Sequence, residues 1–427
     1  MARCYSPRAM AQEQPVQALV VALTEEVAGA VYSLNRLRPD AACFVLPESA
    51  KPLVEHDLQP KLSQVPRRWD WIVVPDVESF PSCYVTIARS LPALLETWGI
   101  ESGSLVLDLS GATAAMAAGL TLAALPHASR VVSIIGAQEG REGETVTLDG
   151  MEKQWVQANP WDEAARGMRR EGCSLFNRGA LAAAAAVFRQ IEHRVSGGLK
   201  PLYRALADLA DGYDLWERLQ HRHAWEKLKT SIKALEMATL FGGPAEVKSC
   251  LPAIKANSGF LEKLVLDPSE VKESVAVDLL AHAGRRLRVT NDAEGAMRSL
   301  LRALEALAQR RLFTAHGIKT WDVRPEQLPQ ALQENCRVCH LDDIDGKYRL
   351  PLQAQFRALA GLGDQLGQSF LREWPTMKPL LDAANRGILG HGFEPVKAER
   401  VQQLYDVVVR LAGSNESTLP RFPTLNL

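Results

Sequence analysis

Apolar and polar positions along the first third of the chain follow a pattern of short apolar runs separated by amphipathic stretches. The runs are continuous and rich in Val, Ile and Leu; they cover residues 16–24, 43–47, 70–76, 104–110 and 130–137. Strands buried on both faces of a parallel sheet have this pattern. The stretches between the runs are long enough for crossover helices, which we expect over 25–38, 80–98 and 111–125. The pattern predicts a Rossmann-like α/β domain over 16–158, with 145–150 adding a terminal strand.

After residue 158 the strand pattern ends and apolar residues recur at helical spacing. Met297, Leu300 and Leu304 belong to one such stripe, in which apolar side chains follow each other at intervals of three and four. Helices are predicted over 177–194, 201–219, 223–241, 270–289, 292–313, 351–371, 376–390 and 395–412. We therefore expect an all-α helical connector over 159–268 and a C-terminal helical bundle over 269–427.

Two loops at the predicted sheet are candidates for a ligand site, because open parallel sheets bind ligands outside the carboxyl ends of their strands. The first run ends at Thr24, and Glu25 begins the loop after it. The end of the fourth run, the loop after it and the helix that follows contain Asp108, Ser110, Gly111, Ala112, Thr113 and Met116. Hydroxyls and free N–H groups at a helix N-terminus suit phosphate, whereas small residues in a tight strand-to-helix turn also have a purely structural interpretation. The residues alone leave both interpretations open, a phosphate site and a purely structural turn.

A third candidate lies near the end of a predicted helix, where Arg386 and His391 are five positions apart. On a continuous helix they would lie about 140° apart, so they converge only if the helix ends between them. Gly390 and Gly392 flank the histidine and allow that end, because glycine adopts the left-handed conformation. Arginine offers a planar fork of donors to phosphate oxygens, and histidine transfers protons near neutral pH. The pair suits phosphodiester cleavage, although such pairs at helix ends also occur without function.

Composition and charge narrow the class of protein. A net charge of -1 argues against a uniformly basic nucleic-acid-binding protein, and 47% hydrophobic with 23% charged residues indicates a globular chain. No apolar run reaches the roughly 18 residues needed to cross a bilayer, and the start lacks a secretory pattern, so we expect a soluble cytoplasmic protein. The Cys336-Arg-Val-Cys339-His340 segment has the spacing of a haem attachment site, but we interpret it as a turn between helices.

Two of these segments resemble known motifs. Residues 386–391 are similar to the R-x-x-x-x-H motif of HEPN ribonucleases, although Gly387 follows the arginine where many relatives carry a polar residue. Residues 108–116 resemble the D-x-[ST]-G-G-T-K-x-M signature of CARF domains, the Rossmann-like sensors of cyclic oligoadenylates in type III CRISPR immunity, with Ala112 replacing the second glycine and Ala114 the lysine. A CARF-like first third, a helical middle and a HEPN-like end follow one another in this order. Nearly the whole chain therefore resembles the CRISPR-associated CARF/HEPN ribonucleases.

That resemblance implies an antiviral homodimer that binds a cyclic oligoadenylate as its activator and cleaves single-stranded RNA. His391 would be the acid/base, Arg386 the phosphate clamp and Asn385 an adjacent polar group. The residues implied for activator binding are Thr24, Glu25, Asp108, Ser110, Gly111, Ala112, Thr113, Met116 and Gly136. We see no H-E-x-x-H or paired-carboxylate cluster, so cleavage is expected to proceed by attack of the 2′-hydroxyl without a metal or other cofactor.

Two alternatives remain. Gly387 leaves open a CARF-regulated effector that binds RNA or protein through an inactive HEPN domain. A nucleotide-dependent oxidoreductase is disfavoured, because Thr24-Glu25-Glu26 follows the first strand where a dinucleotide site would have G-x-G-x-x-G.

Overall fold

The structure, a computed structural model, describes residues 16–100, 104–135, 138–139, 145–146, 153–156, 159–240 and 245–427. They form two compact units. The first consists of the described residues up to Arg170 together with Val187–Arg204, and the second of Glu171–Ala186 and Ala205–Leu427. The predicted division into three domains, 16–158, 159–268 and 269–427, remains a prediction.

The first unit contains a twisted sheet whose strand order places the first strand in the middle. The strands in the described residues are β1 (Ala18–Ala22), β2 (Ala41–Leu46), β3 (Arg68–Val73), β4 (Leu105–Asp108), β5 (Ala128–Ile135), β6 (Gln138–Glu139), β7 (Thr145–Val146) and β8 (Lys153–Val156). The main sheet has the order β3-β2-β1-β4-β5-β8, parallel except for β8, which pairs antiparallel with β5. The predicted α/β Rossmann-like fold is confirmed.

One prediction for this sheet was wrong. The segment 145–150 was expected to add the terminal strand, but its described part, β7, pairs with β6 in a separate two-stranded ribbon. The edge position is occupied by β8, which sequence analysis missed. A four-residue edge strand needs neither the length nor the continuous apolar run by which the buried strands are recognised.

Helices cover both faces of the sheet. They are α1 (Ala28–Leu37), α2 (Lys51–Leu53), α3 (Phe80–Trp98) and α4 (Ala114–Ala124). Alternate residues of β1 point to opposite faces, as the period of a strand requires. Ala18 and Val20 pack in a cluster with residues of α3 and α4, whereas Leu19 and Val21 pack with residues of α1 and of 50–58. Because both faces are covered, ligand access is restricted to the ends of the strands.

The rest of the described chain is mostly helical, as predicted. The helices are α5 (Pro160–Asn177), α6 (Leu181–Arg194), α7 (Lys200–Glu217), α8 (His221–Leu240), α9 (Ala245–Leu266), α10 (Ser274–Arg288), α11 (Ala293–His316), α12 (Gln330–Cys339), α13 (Leu352–Gly361), α14 (Gln365–Arg386) and α15 (Ala398–Leu411). None of the helices in these residues combines the length and apolar character needed to cross a bilayer. Cys336 and Cys339 lie in α12 rather than in a turn, so that expectation was wrong.

The bundle formed by α10–α15 has one apolar core, to which the predicted stripe of α11 contributes Met297, Leu300 and Leu304. Two predicted helices, 351–371 and 376–390, have different boundaries in the structure. The chain breaks at Gly363, whose φ of 78° suits glycine, and Asp364 caps α14 by accepting a hydrogen bond from the backbone N–H of Leu366 at 2.9 Å. Helix α14 then continues to Arg386, so that residue ends a rigid, well-packed helix.

A buried network of charged groups joins α7 to α10 in the second unit. The Glu217 carboxylate accepts a hydrogen bond from Arg285 Nε at 2.9 Å and lies 3.2 Å from Nε2 of His282. Burial alone would raise the pKa of Glu217, but the hydrogen bond from His282 and the charge of Arg285 outweigh burial and lower the pKa to about 2. The ionised glutamate therefore stabilises the folded state at neutral pH.

We expect Glu217→Gln to lower the free energy of unfolding at pH 7 by up to about 3 kcal/mol, since a lowered pKa corresponds to about 1.36 kcal/mol per unit. The folded pKa lies below the unfolded one, so this contribution is present above pH ~5 and is lost as the pH falls towards 2. Urea unfolding at pH 7 and pH 3 measures it, with Glu399→Gln, an exposed glutamate of α15, as control. A difference from wild type that does not shrink at pH 3 would contradict this account.

Candidate functional site

Helix α14 ends at Arg386, and the chain then folds back on the last turn of the helix. Gly387 has φ -61° and ψ 154°, an extended conformation that stops the helix. The backbone N–H of His391 donates to the carbonyl of Asn385 at 2.8 Å, and that of Glu394 donates to the carbonyl of Arg386 at 3.1 Å. The expected helix end between Arg386 and His391 is confirmed, and the turn returns His391 to the end of α14.

Glycines are needed in this turn for close approach of two backbone segments. A Cβ atom on Gly392 would lie 2.2 Å from the carbonyl oxygen of Arg386, and one on Gly390 would lie 2.4 Å from that of Ala384. Neither glycine has a positive φ. The expectation that they end the helix in the left-handed conformation was therefore wrong: the helix ends at Gly387, and Gly390 and Gly392 admit the returning chain.

Packing also accounts for Gly387, which stands where many chains with the similar motif have a polar residue. This residue is buried, and an added Cβ would lie 2.8 Å from Cγ2 of Val396 and 3.2 Å from Oε2 of Glu294. Oε1 of Glu294 accepts a hydrogen bond from the backbone N–H of Val396 at 3.0 Å, so this first-turn residue of α11 holds the far end of the loop that follows α14. Sequence analysis missed Glu294, because an acid in a first turn also suits the helix dipole.

The side chains of Asn385, Arg386 and His391 are exposed. Among the described residues, neither the guanidinium of Arg386 nor the imidazole of His391 has a hydrogen bond or an ion pair. Their polar atoms are therefore free to contact a phosphate. The same loop exposes three large apolar side chains, Ile388 at 58%, Leu389 at 52% and Phe393 at 96%, which is the composition of a surface that another chain covers.

The loops after β1 and β4 lie side by side, because the two strands are neighbours in the sheet and their last paired residues are Val21 and Asp108. Hydrogen bonds of hydroxyl groups fix them. Thr24 Oγ1 donates to the carbonyl of Gly111 at 2.9 Å, and the Ser110 hydroxyl donates to Asp108. Thr113 Oγ1 donates to the carbonyl of Val77 and accepts from the N–H of Met116, which caps α4. These hydroxyls are therefore engaged within the protein.

Several residues implied in ligand binding have their side chains inside this unit. Asp108 and Met116 are fully buried, and burial raises the pKa of Asp108 although hydrogen bonds from Ser110 oppose it. A Cβ on Gly111 would lie 2.8 Å from the carbonyl oxygen of Ala22, so this glycine accommodates the first loop. Ala112 is part of the same turn, its N–H donating to Leu109 at 3.1 Å. These residues determine the shape of the loops and do not present their side chains to a ligand.

What the loops present outward are main-chain amides and the carboxylates of Glu25 and Glu26, which are both exposed. The amides of Ala114 and Ala115 begin α4 and have no partner among the described residues. No Lys or Arg occurs in 23–27 or 109–113. Gly136, the last of the expected ligand residues, lies outside the described residues. In the described part of the chain, no group of three or more His, Cys, Asp or Glu side chains is arranged to hold a metal.

Comparison with known proteins gives two family matches. Residues 270–415 match the family described as the Csm6 HEPN domain, and residues 165–261 match the Csm6 6H domain. The two matches together cover more than half of the chain. A comparison with curated proteins gave no match.

Among solved structures, the chain is similar to Enterococcus italicus Csm6 bound to cyclic hexa-2'-fluoro-hexa-dAMP, with a TM-score of 0.55 and 10% identity over 93% of this chain and 94% of that one. Can2 from Sulfobacillus thermosulfidooxidans in complex with cyclic tetra-adenylate aligns with a TM-score of 0.23 and 13% identity, over 48% of this chain and 68% of that one. The first match shows a common fold over nearly the full length.

Proposed function

Since the chain belongs to the Csm6 family of type III CRISPR-associated CARF/HEPN proteins, we propose that it is an endoribonuclease that cleaves single-stranded RNA when a cyclic oligoadenylate is bound. The observation that carries this proposal is the turn at the end of α14, which returns His391 to Arg386 and leaves both side chains exposed. The alternative of an effector with an inactive HEPN domain was left open because of Gly387. It is not favoured, because the packing around Gly387 explains why a glycine stands there. We place the protein in the cytoplasm, where transcripts occur.

In the proposed reaction the 2′-hydroxyl of the substrate attacks the adjacent phosphorus. A bond forms between the 2′-oxygen and phosphorus and the bond from phosphorus to the 5′-oxygen breaks, which leaves a 2′,3′-cyclic phosphate and a 5′-hydroxyl. A base accepts the proton of the 2′-hydroxyl and an acid protonates the leaving 5′-oxygen. Arg386 stabilises the charge that develops on the phosphate oxygens, because its fork of donors matches them, and Asn385 is a further donor beside it.

The two proton-transfer roles suggest a homodimer. Each chain has one His391, so a two-fold axis that brings two copies of the turn together would supply the base from one chain and the acid from the other. The exposed side chains of Ile388, Leu389 and Phe393 support this arrangement, because they surround the site with apolar surface that a second copy would cover.

The activator is proposed to bind at the carboxyl edge of the sheet. The loops 23–27 and 109–113 and the start of α4 contribute main-chain amides for phosphate, foremost those of Ala114 and Ala115 at the positive end of α4. Glu25 is placed to accept hydrogen bonds from ribose hydroxyls. Asp108, Ser110, Thr24 and Thr113 act indirectly, because their hydrogen bonds set the shape of both loops.

The proposal is tested by incubating the protein with a fluorescent RNA and cyclic tri-, tetra- or hexa-adenylate. We expect cleavage with one of them, a 2′,3′-cyclic phosphate product, no cleavage of the DNA of the same sequence, and unchanged activity in EDTA. Activator binding without cleavage would support the inactive effector instead. Cleavage that is independent of every activator, or that leaves a 3′-hydroxyl, would contradict the proposed mechanism.

Substitution of an exposed alanine separates activator binding from folding. We expect Ala114→Glu to raise the activator concentration for half-maximal cleavage by at least about tenfold, equivalent to about 1.4 kcal/mol, because a carboxylate would repel phosphate at the start of α4. The maximal rate should not change. An acid in the first turn favours the helix, so the melting temperature should not fall. Ala118→Glu, exposed one turn further along α4, is the control; equal activator responses of both variants would remove the activator from this edge.

A further inference from the structure

A groove of about 680 Å³ runs along one side of the C-terminal bundle and reaches the candidate active site. Its lining comes from α11, α14 and the start of α13. The lining includes Arg298, Arg302, Trp374, Lys378 and Asn385. Sequence analysis did not identify this surface, because its members come from helices far apart in the chain.

The groove has an aromatic wall. Trp374 is half-buried, and its ring packs at 5.5 Å and 39° against Phe370, whose ring is in turn stacked on Phe356 at 3.8 Å. The leucines Leu301 and Leu381 also line the groove. A fixed aromatic ring beside aliphatic groups is the kind of surface on which an unpaired base stacks, and such stacking is worth about 1–3 kcal/mol per base.

Positive charges surround the aromatic wall. Arg298 and Lys378 are exposed, and in the described part of the chain neither has an ion pair. Arg302 has a partner in Glu305 at 3.5 Å, a weak, exposed contact. The other carboxylate in the lining is Asp382. Two unpaired cations within one groove, next to a ring, give the combination of phosphate and base contacts found in single-strand binding.

The groove is continuous with the proposed catalytic turn. Asn385 lines the groove, precedes Arg386, and its carbonyl accepts the hydrogen bond of His391 that closes the turn. Trp374 and Asn385 are eleven positions apart on α14, so they are separated by roughly 16 Å along the axis. A strand whose scissile phosphate lies at Arg386 would therefore enter the groove with its neighbouring nucleotides.

We infer that this groove binds the unpaired nucleotides that flank the scissile phosphate, with a base on Trp374 and phosphates at Arg298 and Lys378. The inference rests on the proposed ribonuclease function and specifies how the substrate is held. It also explains a preference for single strands, since paired bases are not available for stacking on a side chain.

The test measures binding of a fluorescent single-stranded RNA by anisotropy in the His391→Ala background, so that the RNA stays intact, and KM and kcat in the otherwise wild-type chain. Arg298→Ala combined with Lys378→Ala should raise Kd and KM at least about tenfold, with kcat changed less than KM. Trp374→Leu should raise Kd by a similar factor, while Trp374→Phe, which keeps a ring, should restore most of the affinity. Arg372→Ala, an exposed arginine on α14 outside the groove, is the control.

The outcomes separate this inference from the proposed function. If wild type cleaves RNA but the groove variants keep wild-type Kd and KM, the groove inference is wrong and the ribonuclease stands. If wild type binds RNA through the groove residues without cleaving it, the proposed activity fails and the groove stands. Affinity lost equally in Arg372→Ala would indicate a general charge effect and overturn the assignment to this groove. Far-UV circular dichroism of each variant excludes unfolding as the cause.

Discussion

Replacing His391 with alanine is expected to lower the rate of activated RNA cleavage by about 10²–10⁴-fold, the usual contribution of a proton-transferring side chain. The imidazole is exposed and has no hydrogen bond among the described residues, so its removal should leave the fold and activator binding unchanged. The measurement is single-turnover cleavage of a fluorescent RNA at saturating activator, together with a melting curve.

His223→Ala is the matched control, because His223 is an exposed histidine of α8, remote in sequence from the turn. It should cleave at the wild-type rate. If the His391 variant retained cleavage within a few-fold of wild type, the catalytic site would have to lie elsewhere in the protein, whatever the fate of Arg386.

Gly392→Ala is expected to lower cleavage by about 10²-fold, a loss typical of a displacement of about 1 Å in an active site. The added methyl group would lie 2.2 Å from the carbonyl oxygen of Arg386, so the returning chain must move away from α14 and carry His391 with it. Since the chemical groups themselves remain, the loss would report their placement alone. Single-turnover cleavage and activator binding are measured on the same preparation.

Gly259→Ala provides the comparison, because a Cβ on this glycine of α9 would meet nothing within 4 Å. Both variants should bind the activator with wild-type affinity. Full activity of Gly392→Ala would show that the position of His391 relative to Arg386, as the structure has it, is not the one used in catalysis.

The strands β1–β5 and the turn after Arg386 could be predicted from the sequence because their signals are local. Continuous apolar runs identify β1–β5, and glycines beside His391 indicate a departure from the helix. The role of those glycines in the turn could not be predicted. A glycine needed for close approach of two backbone segments and a glycine needed for a left-handed conformation look the same in a sequence. Only the positions of Arg386 and Ala384 in the structure distinguish the two roles.

The prolines of α14 illustrate a second limit. A boundary was expected between the predicted helices 351–371 and 376–390, yet Pro375 and Pro379 both lie in one continuous helix on its exposed side. At an exposed position, water can hydrogen-bond to a carbonyl group that lacks its helical donor, which lowers the cost of an interior proline. The sequence shows where a proline is, but not whether it lies on the exposed or the buried side of a helix.

The same limit applies to polar side chains near the sheet. Thr24, Ser110 and Thr113 were interpreted as groups for a ligand, but their hydroxyls donate to main-chain carbonyls or to Asp108. A hydroxyl in a loop has the same sequence signature whether its partner is a phosphate or a neighbouring loop. The geometry of the loops was predictable from the strand order, whereas the partner of each hydroxyl was not.

The way these hydroxyls are used has an evolutionary consequence. Where recognition depends on peptide groups, natural selection acts on the path of the backbone and only weakly on the side chains that cover it. Ala112 and Ala114 can then replace a glycine and a lysine while the amides keep their directions. At the proposed activator site, sequence change would then be tolerated as long as it preserves the shape of the two loops that the three hydroxyl groups hold.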